Sequence, residues 1–215
     1  CTNVMDTVVE GCYSTTHRAS VYQSPLARCT VAGAECDGVY ASASTNCLFY
    51  GLSSKSGNNQ YVFRQCTDVV NCTFADITDP KMAMFNNAVG VRTTVRNSIF
   101  SNVGGMRGVL DDGAAMTLDH CLYDEIDADF VGGVVRTDCI QSKRRPFVPA
   151  DNPHYDAERP YAIRPWRTLL GSGVNVGFTV DDVDRAGNPR LRDGQLDLGC
   201  YQCMLQTTGF SLIFR

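Results

Sequence analysis

The 215-residue chain has a net charge of −4, with 44% apolar and 20% charged residues and a pI near 5.3. That balance fits one folded domain with a proper core and argues against nucleic acid as a partner, since phosphate binding needs a concentrated basic surface. No apolar stretch reaches the roughly 20 residues of a membrane-spanning helix, and eleven cysteines leave at least one unpaired.

The chain opens at Cys1 in what already reads as repeat sequence, with no signal segment before it. It is therefore expected to be part of a longer polypeptide or a processed form; a mature lipoprotein would also begin with Cys. From there one short pattern recurs: a polar residue, a small Cys or Ser, any residue, then an aromatic or Val. It runs through Cys12, Cys29, Cys47, Cys72, Ser98, Cys121 and Cys139. Around each anchor the alternation is strand-like, with Cys47 and Phe49 to one side and Asn46 and Leu48 to the other. Short strands at this period, separated by variable turns rich in Gly, Asn, Asp and Ser, predict a right-handed parallel β-helix of about seven coils, a pectate-lyase-like solenoid.

Stacking coils would set the anchors in a column about 4.8 Å apart. Side chains held parallel at that spacing keep their Cβ atoms wider than the roughly 3.8 Å a disulfide prefers. The column is thus expected to hold buried, reduced thiols that pack as small hydrophobes, with Phe49, Phe74, Phe100 and Tyr123 as an aromatic column beside it. Cys1, Cys36 and Cys66 lie off the ladder, where a disulfide between two of them stays open. Cys200-x-x-Cys203 lacks the second close pair that zinc would need.

The coils are expected over residues 1–142. Residues 143–215 form a Pro-rich excursion and a C-terminal cap of the same domain. Lys143-Arg144-Arg145 opens it as a solvated loop, and Pro146, Pro149, Pro153, Pro160 and Pro165 mark an irregular surface path. Gly187-Asn188-Pro189 reads as a turn, Leu196 to Tyr201 as a last strand, and the apolar 209–214 stretch as packing back. Covering the open end of the stack is the expected task of this region, because a bare end invites aggregation.

Val70-Asn71-Cys72-Thr73-Phe74 and 97–105 resemble coils of bacterial right-handed β-helix surface proteins, the polymorphic outer-membrane proteins among them. The C-terminal part is similar to the segment after their last coil. The stretch is Asp184-Arg185-Ala186-Gly187-Asn188-Pro189-Arg190, then Asp197-Leu198-Gly199-Cys200-Tyr201-Gln202. Cys200 stands where such proteins carry Ala, and Gln202 where they carry Glu. The resemblance implies a secreted or cell-surface protein, often without catalysis, and supplies no catalytic residues.

Three groups are candidates for chemistry. Asp119, Asp124, Glu125, Asp127 and Asp129, with His120 among them, offer the oxygen ligands that suit calcium and the paired carboxylates that suit glycoside hydrolysis; the plainer reading is a solvated turn. Calcium is the one cofactor the sequence suggests, and Glu125, Asp127, Asp129 and Asp124 would be its ligands. Asp111-Asp112 and Asp181-Asp182 near Asp184 read as turns before catalytic pairs, for the Gly-His-Gly and Arg-x-Lys motifs of polygalacturonases are missing. Arg164, Trp166 and Arg167, with the only Trp of the chain, could stack on a sugar or hold an acidic glycan; the plainer reading has Trp166 plug the end of the core. Asn71-Cys72-Thr73 matches the glycosylation acceptor by coincidence.

Two functions follow. The leading one is a non-catalytic secreted or surface module, an adhesin or scaffold whose partner is a polysaccharide or cell-surface glycan. The alternative is a polysaccharide lyase or glycoside hydrolase acting on acidic, pectin-like polysaccharide.

Overall fold

The repeat turns its corners on single residues of positive φ. Between the first and second strand of each turn stands one such residue: Asp6, Arg28, Asn46, Asn71, Asn97, His120 or Asp138, with φ between 48 and 53°. Asn and Asp tolerate this crowded region better than most L-residues, which is why the residue before each small anchor is so often one of them. A second column of corners, Gly11, Gly33, Gly51, Asp76 and Asn102, has φ between 52 and 62°.

The computed structural model describes residues 3–12, 19–54, 60–88, 90–103, 108–110, 115–124, 134–166 and 168–203. Its first turn holds β1 (Val4–Met5), β2 (Val8–Glu10) and β3 (Ala19–Tyr22), and its second β4 (Leu26–Ala27), β5 (Thr30–Ala32) and β6 (Asp37–Tyr40). The third holds β7 (Ser44–Thr45), β8 (Leu48–Tyr50) and β9 (Gln60–Arg64). The fourth holds β10 (Asp68–Val70), β11 (Thr73–Ile77) and β12 (Met82–Asn87). In the fifth are β13 (Arg92–Arg96), β14 (Ile99–Val103) and β15 (Gly108–Leu110). Then come β16 (Ala115–Asp119) with β17 (Leu122–Asp124), and β18 (Val134–Thr137) with β19 (Ile140–Ser142).

The first strands of successive turns pair into one sheet, the second strands into another and the third strands into a third. Every pair of strands is parallel. This is an all-β parallel solenoid, a β-helix. Where about seven coils are expected, five turns are complete, and two further turns carry only first and second strands among the described residues.

Inside, the second sheet stacks Phe49 on Phe74 and Phe74 on Phe100, with ring centroids 5.1 and 4.8 Å apart. Phe63 stacks on Phe85 in the third sheet and meets Phe49 and Phe74 edge-on, so two aromatic columns interlock in the favoured offset and T-shaped geometries. Beside them the register aligns Cys29, Cys47, Cys72, Ser98, Cys121 and Cys139. Each donates to the carbonyl two residues earlier, as Cys29 does to Ala27 (3.3 Å) and Ser98 to Arg96 (2.9 Å). A small side chain with one hydrogen to donate is what the corner needs.

Cys12 is not in this column. Val8 to Glu10 pair with Thr30 to Ala32, which sets Thr7 beside Cys29 and carries Cys12 five residues further on, into the core's margin. Thr7 makes the corner's bond itself, to the Met5 carbonyl (2.7 Å). A hydroxyl meets the same demand, so the first rung is anchored by Thr7, outside the Cys-or-Ser pattern of the other rungs. All ten described cysteines are free thiols; Cys36 sits by the Ser20 hydroxyl and Cys66 by the Val39 and Arg64 carbonyls.

The described residues of the C-terminal segment, 143–166 and 168–203, correct a second expectation: they lie along the side of the solenoid, over the outer face of the second sheet. Ala75, Ile99 and Leu122 point outward there and are buried under Phe147, Ile163, Leu169 and Leu198, while Leu48 is buried with Cys200 and Tyr201. The last first-sheet strand, β18, is half-buried to exposed along its whole length, its inward position at Arg136 included. Outward apolar residues on several successive rungs would form an exposed patch if left bare, and the segment covers them. Trp166 accordingly packs at the edge of this lateral cluster, not at the end of the core.

Hydrogen bonds tie the cover to four successive rungs. Arg185 donates to Thr30 Oγ1, Asn46 to the Val183 carbonyl, Asn71 to that of Asp197, and Asn97 to that of Val174. The expected strand over Leu196 to Tyr201 does not form; only a single bridge joins Leu196 to Gly173. Some of its backbone groups bond to other backbone, as Gly199 N does to the Asn97 carbonyl (2.7 Å), and others to side chains, with Cys200 N donating to Thr73 Oγ1 (3.0 Å) and the Asp197 and Gly199 carbonyls each accepting from Arg190 Nη2 (2.7 Å). Arg190, Asp184, Asp197 and Gln202 are all fully buried, and burial pulls the Arg190 pKa down to about 10. Asp184 accepts from the backbone of Ala186, Asn188 and Gln202, and Asp197 from that of Gly171 and Cys203. Gln202 Oε1 accepts from Asp197 N (3.1 Å), a task an amide oxygen performs as a carboxylate would.

Candidate functional site

The Pro-rich excursion and the second sheet together frame a groove around Arg164. On one side a cavity of about 280 Å3 is lined by Asp76, Arg145, Phe147, Tyr155, Tyr161 and Arg164 among others. On the other, one of about 210 Å3 is lined by Val148, Pro149, Asn152, His154, Arg164, Pro165 and Trp166. Val148, Pro149 and Arg164 belong to both. Each is smaller than the roughly 300–1,000 Å3 of pockets that hold a drug-sized molecule, which suits one ring-sized group on either side.

The solenoid supplies one anchor of this groove. Asp76 occupies a left-handed corner of β11, and its carboxylate accepts from Arg145 Nη2 (2.5 Å), Asn102 Nδ2 (2.7 Å) and Tyr161 Oη (3.0 Å). Burial works to raise the Asp76 pKa, but the bonds from Asn102, Arg145 and Tyr161 prevail and hold it below the usual carboxylate range. Tyr161 is pushed the other way, first by burial and then by the Asp76 charge, and stays protonated. Phe147 meets Tyr161 edge-on at 5.3 Å, and Tyr161 in turn lies against Tyr50 of β8. Aromatic packing and a charge-assisted hub thus fix the loop on the rigid sheet.

The Arg164 guanidinium stands 5.0 Å from the centre of the Trp166 ring, within cation–π range, and its Nε donates to the Phe147 carbonyl (2.7 Å). Both residues of that pair are half-buried. Arg167, the third member expected from sequence, lies outside the described residues, as do Glu125, Asp127, Asp129, Asp111 and Asp112.

Of the expected calcium ligands only Asp124 is described, and it is 2% exposed. Its two oxygens accept from Ser101 Oγ (2.5 Å) and Asn102 N (2.8 Å), so this carboxylate serves the sheet. Asp119 points from the first sheet, accepting from His120 Nδ1 (2.7 Å) beside Arg96. Thr179 N and Oγ1 both donate to Asp182, which closes a turn, and Asp184 is the buried hub described above. Asn71 of the apparent glycosylation acceptor is fully buried.

Sequence reasoning found Arg164 and Trp166 but missed Asp76, Arg145, Phe147 and Tyr161. These stand 69 and 85 positions from Asp76 in the cases of Arg145 and Tyr161; the one legible signal was an Asp at a corner that Gly fills in three earlier turns. No family model, no curated protein and no solved structure matches the chain. No described helix is long and apolar enough to cross a membrane.

Proposed function

We propose that the protein is a non-catalytic, secreted or surface-displayed β-helix module that binds glycan in the groove around Arg164. The observation that carries this reading is the Arg164–Trp166 pair, a guanidinium over the chain's only indole, with Arg164 lining two ring-sized cavities and Trp166 one of them. Aromatic faces beside fixed polar groups are the chemistry that holds sugars, and a site built on a rigid scaffold costs little ordering on binding. The resemblance to bacterial β-helix surface proteins, through the coil motif and the Asp184-to-Gln202 stretch, supports the placement outside the cell.

The enzymatic alternative needs carboxylates converging on a groove. Asp76 is the one carboxylate lining the two cavities among the described residues, and Arg145 already neutralises it. The test is binding and turnover measured together. Trp166 emission should shift on titration with oligosaccharides, and prolonged incubation should release no reducing or unsaturated ends. Accumulating ends would sink the non-catalytic reading; silence of Trp166 toward every oligosaccharide would sink the glycan reading.

A further inference from the structure

The two guanidinium groups of the groove differ in what already satisfies them. Arg145 is neutralised by Asp76, whose remaining capacity goes to Asn102 and Tyr161. Arg164 has no carboxylate partner among the described residues: its Nε is held by the Phe147 carbonyl and its plane by Trp166. That leaves Nη1 and Nη2, a fork of donors on a half-buried side chain, in the wall common to both cavities. A partly desolvated cation without a counter-charge favours an anion, and the planar fork matches a carboxylate bidentately.

We propose that the groove selects acidic sugars, with the carboxylate of a uronic acid received by Nη1 and Nη2 of Arg164. This rests on the glycan reading of the same groove and adds its ligand class. The aromatic platform and the Phe147 carbonyl pre-set the guanidinium, so the side chain loses little freedom when the anion arrives.

The test compares oligogalacturonate with its fully methyl-esterified form, the same sugar without the charge, by titrating Trp166 fluorescence of the intact chain. A neutral galactan oligosaccharide and a sulfated one serve as further arms. The acid should bind roughly 10-fold or more tightly than the ester, the advantage of a charge-assisted pair, and the preference should shrink with added salt. Arg164→Gln should erase the ratio and leave weak binding of the neutral sugar; Arg28→Gln, at an ion pair with Asp6 outside both cavities, should preserve it. Equal affinity for acid and ester overturns the proposal and leaves glycan binding standing, as does tightest binding of the sulfated sugar. Failure of every oligosaccharide to bind overturns the glycan reading beneath it. The acid-to-ester comparison is made on the natural sequence, so it holds even where a variant folds poorly.

Discussion

Residues 3–142 and residues 143–203 share a face, yet they bury their polar groups by different means. In the rungs each inner strand pairs with the one before and the one after, and even the corners are bonded rung to rung, as Arg28 N is to the Thr45 carbonyl and Asn46 N to that of Val70. The C-terminal segment forms no strand among its described residues and is held by the side chains of Asp184, Asp197, Arg190 and three corner asparagines. Periodic backbone pairing is tolerant, because any residue of suitable size fits a slot. A side-chain network is not, because every member answers for particular partners.

The comparison can be broken most forcefully by one substitution on each side. Phe74→Ala should cost about 4 kcal/mol through the cavity it opens between Phe49 and Phe100. It should lower hydrogen-exchange protection across the rungs and the cover alike. Arg190→Met should cost about 3 kcal/mol, since the Asp197 and Gly199 carbonyls lose their buried charged donor. Its loss of protection should be confined to 143–203, and equal loss in the rungs would refute separate stabilisation of the two regions.

Gly199→Ala sharpens the point at a single contact. The residue has φ +78°, and an added Cβ would lie 2.6 Å from Thr73 Oγ1 and 2.8 Å from Ile99 Cδ1. A loss of about 2 kcal/mol is expected, read as a lower urea midpoint, with the segment near Cys200 the first to be cleaved by protease.

Asp76→Asn keeps the shape and the left-handed backbone but removes the charge facing Arg145. With a third of that side chain open to solvent, about 1 kcal/mol is expected after screening. Because the folded pKa is depressed, the contribution is complete above the unfolded carboxylate pKa and is lost as pH falls through the lower folded value. The natural protein should therefore lose its advantage over the variant on acidification, and a gap that persists at low pH would refute the assignment. Smallest of all, Cys72→Ser should change stability by less than about 1 kcal/mol, because Ser98 one rung on already makes the same bond to its own carbonyl (2.9 Å).

Much of the rung geometry was legible in the chain because it repeats. The alternation around Cys47 and Phe49, the small anchors from Cys29 to Cys139 and the Phe49–Phe74–Phe100 column all follow from one strand-corner-strand unit. Cys12 misled because it sits in a polar-small context like the true corner at Asp6-Thr7, and only pairing with β5 tells the two apart. The third sheet, with Phe63 and Phe85, was missed because the loops before it vary in length and blur the period.

Of the candidate site, composition made Arg164 and Trp166 visible as an aromatic between cations. Their environment was not, since Asp76, Arg145 and Tyr161 meet only when the excursion folds back over the second sheet. The sequence by itself determined the parallel stack: a short repeat with small anchors and left-handed corners can bury its apolar side chains only against copies of itself. The tertiary structure alone decided that the C-terminal segment clads the side of the stack and that the groove forms at its edge. Those contacts join non-repeating surfaces far apart in the chain, where no period records which residues will meet.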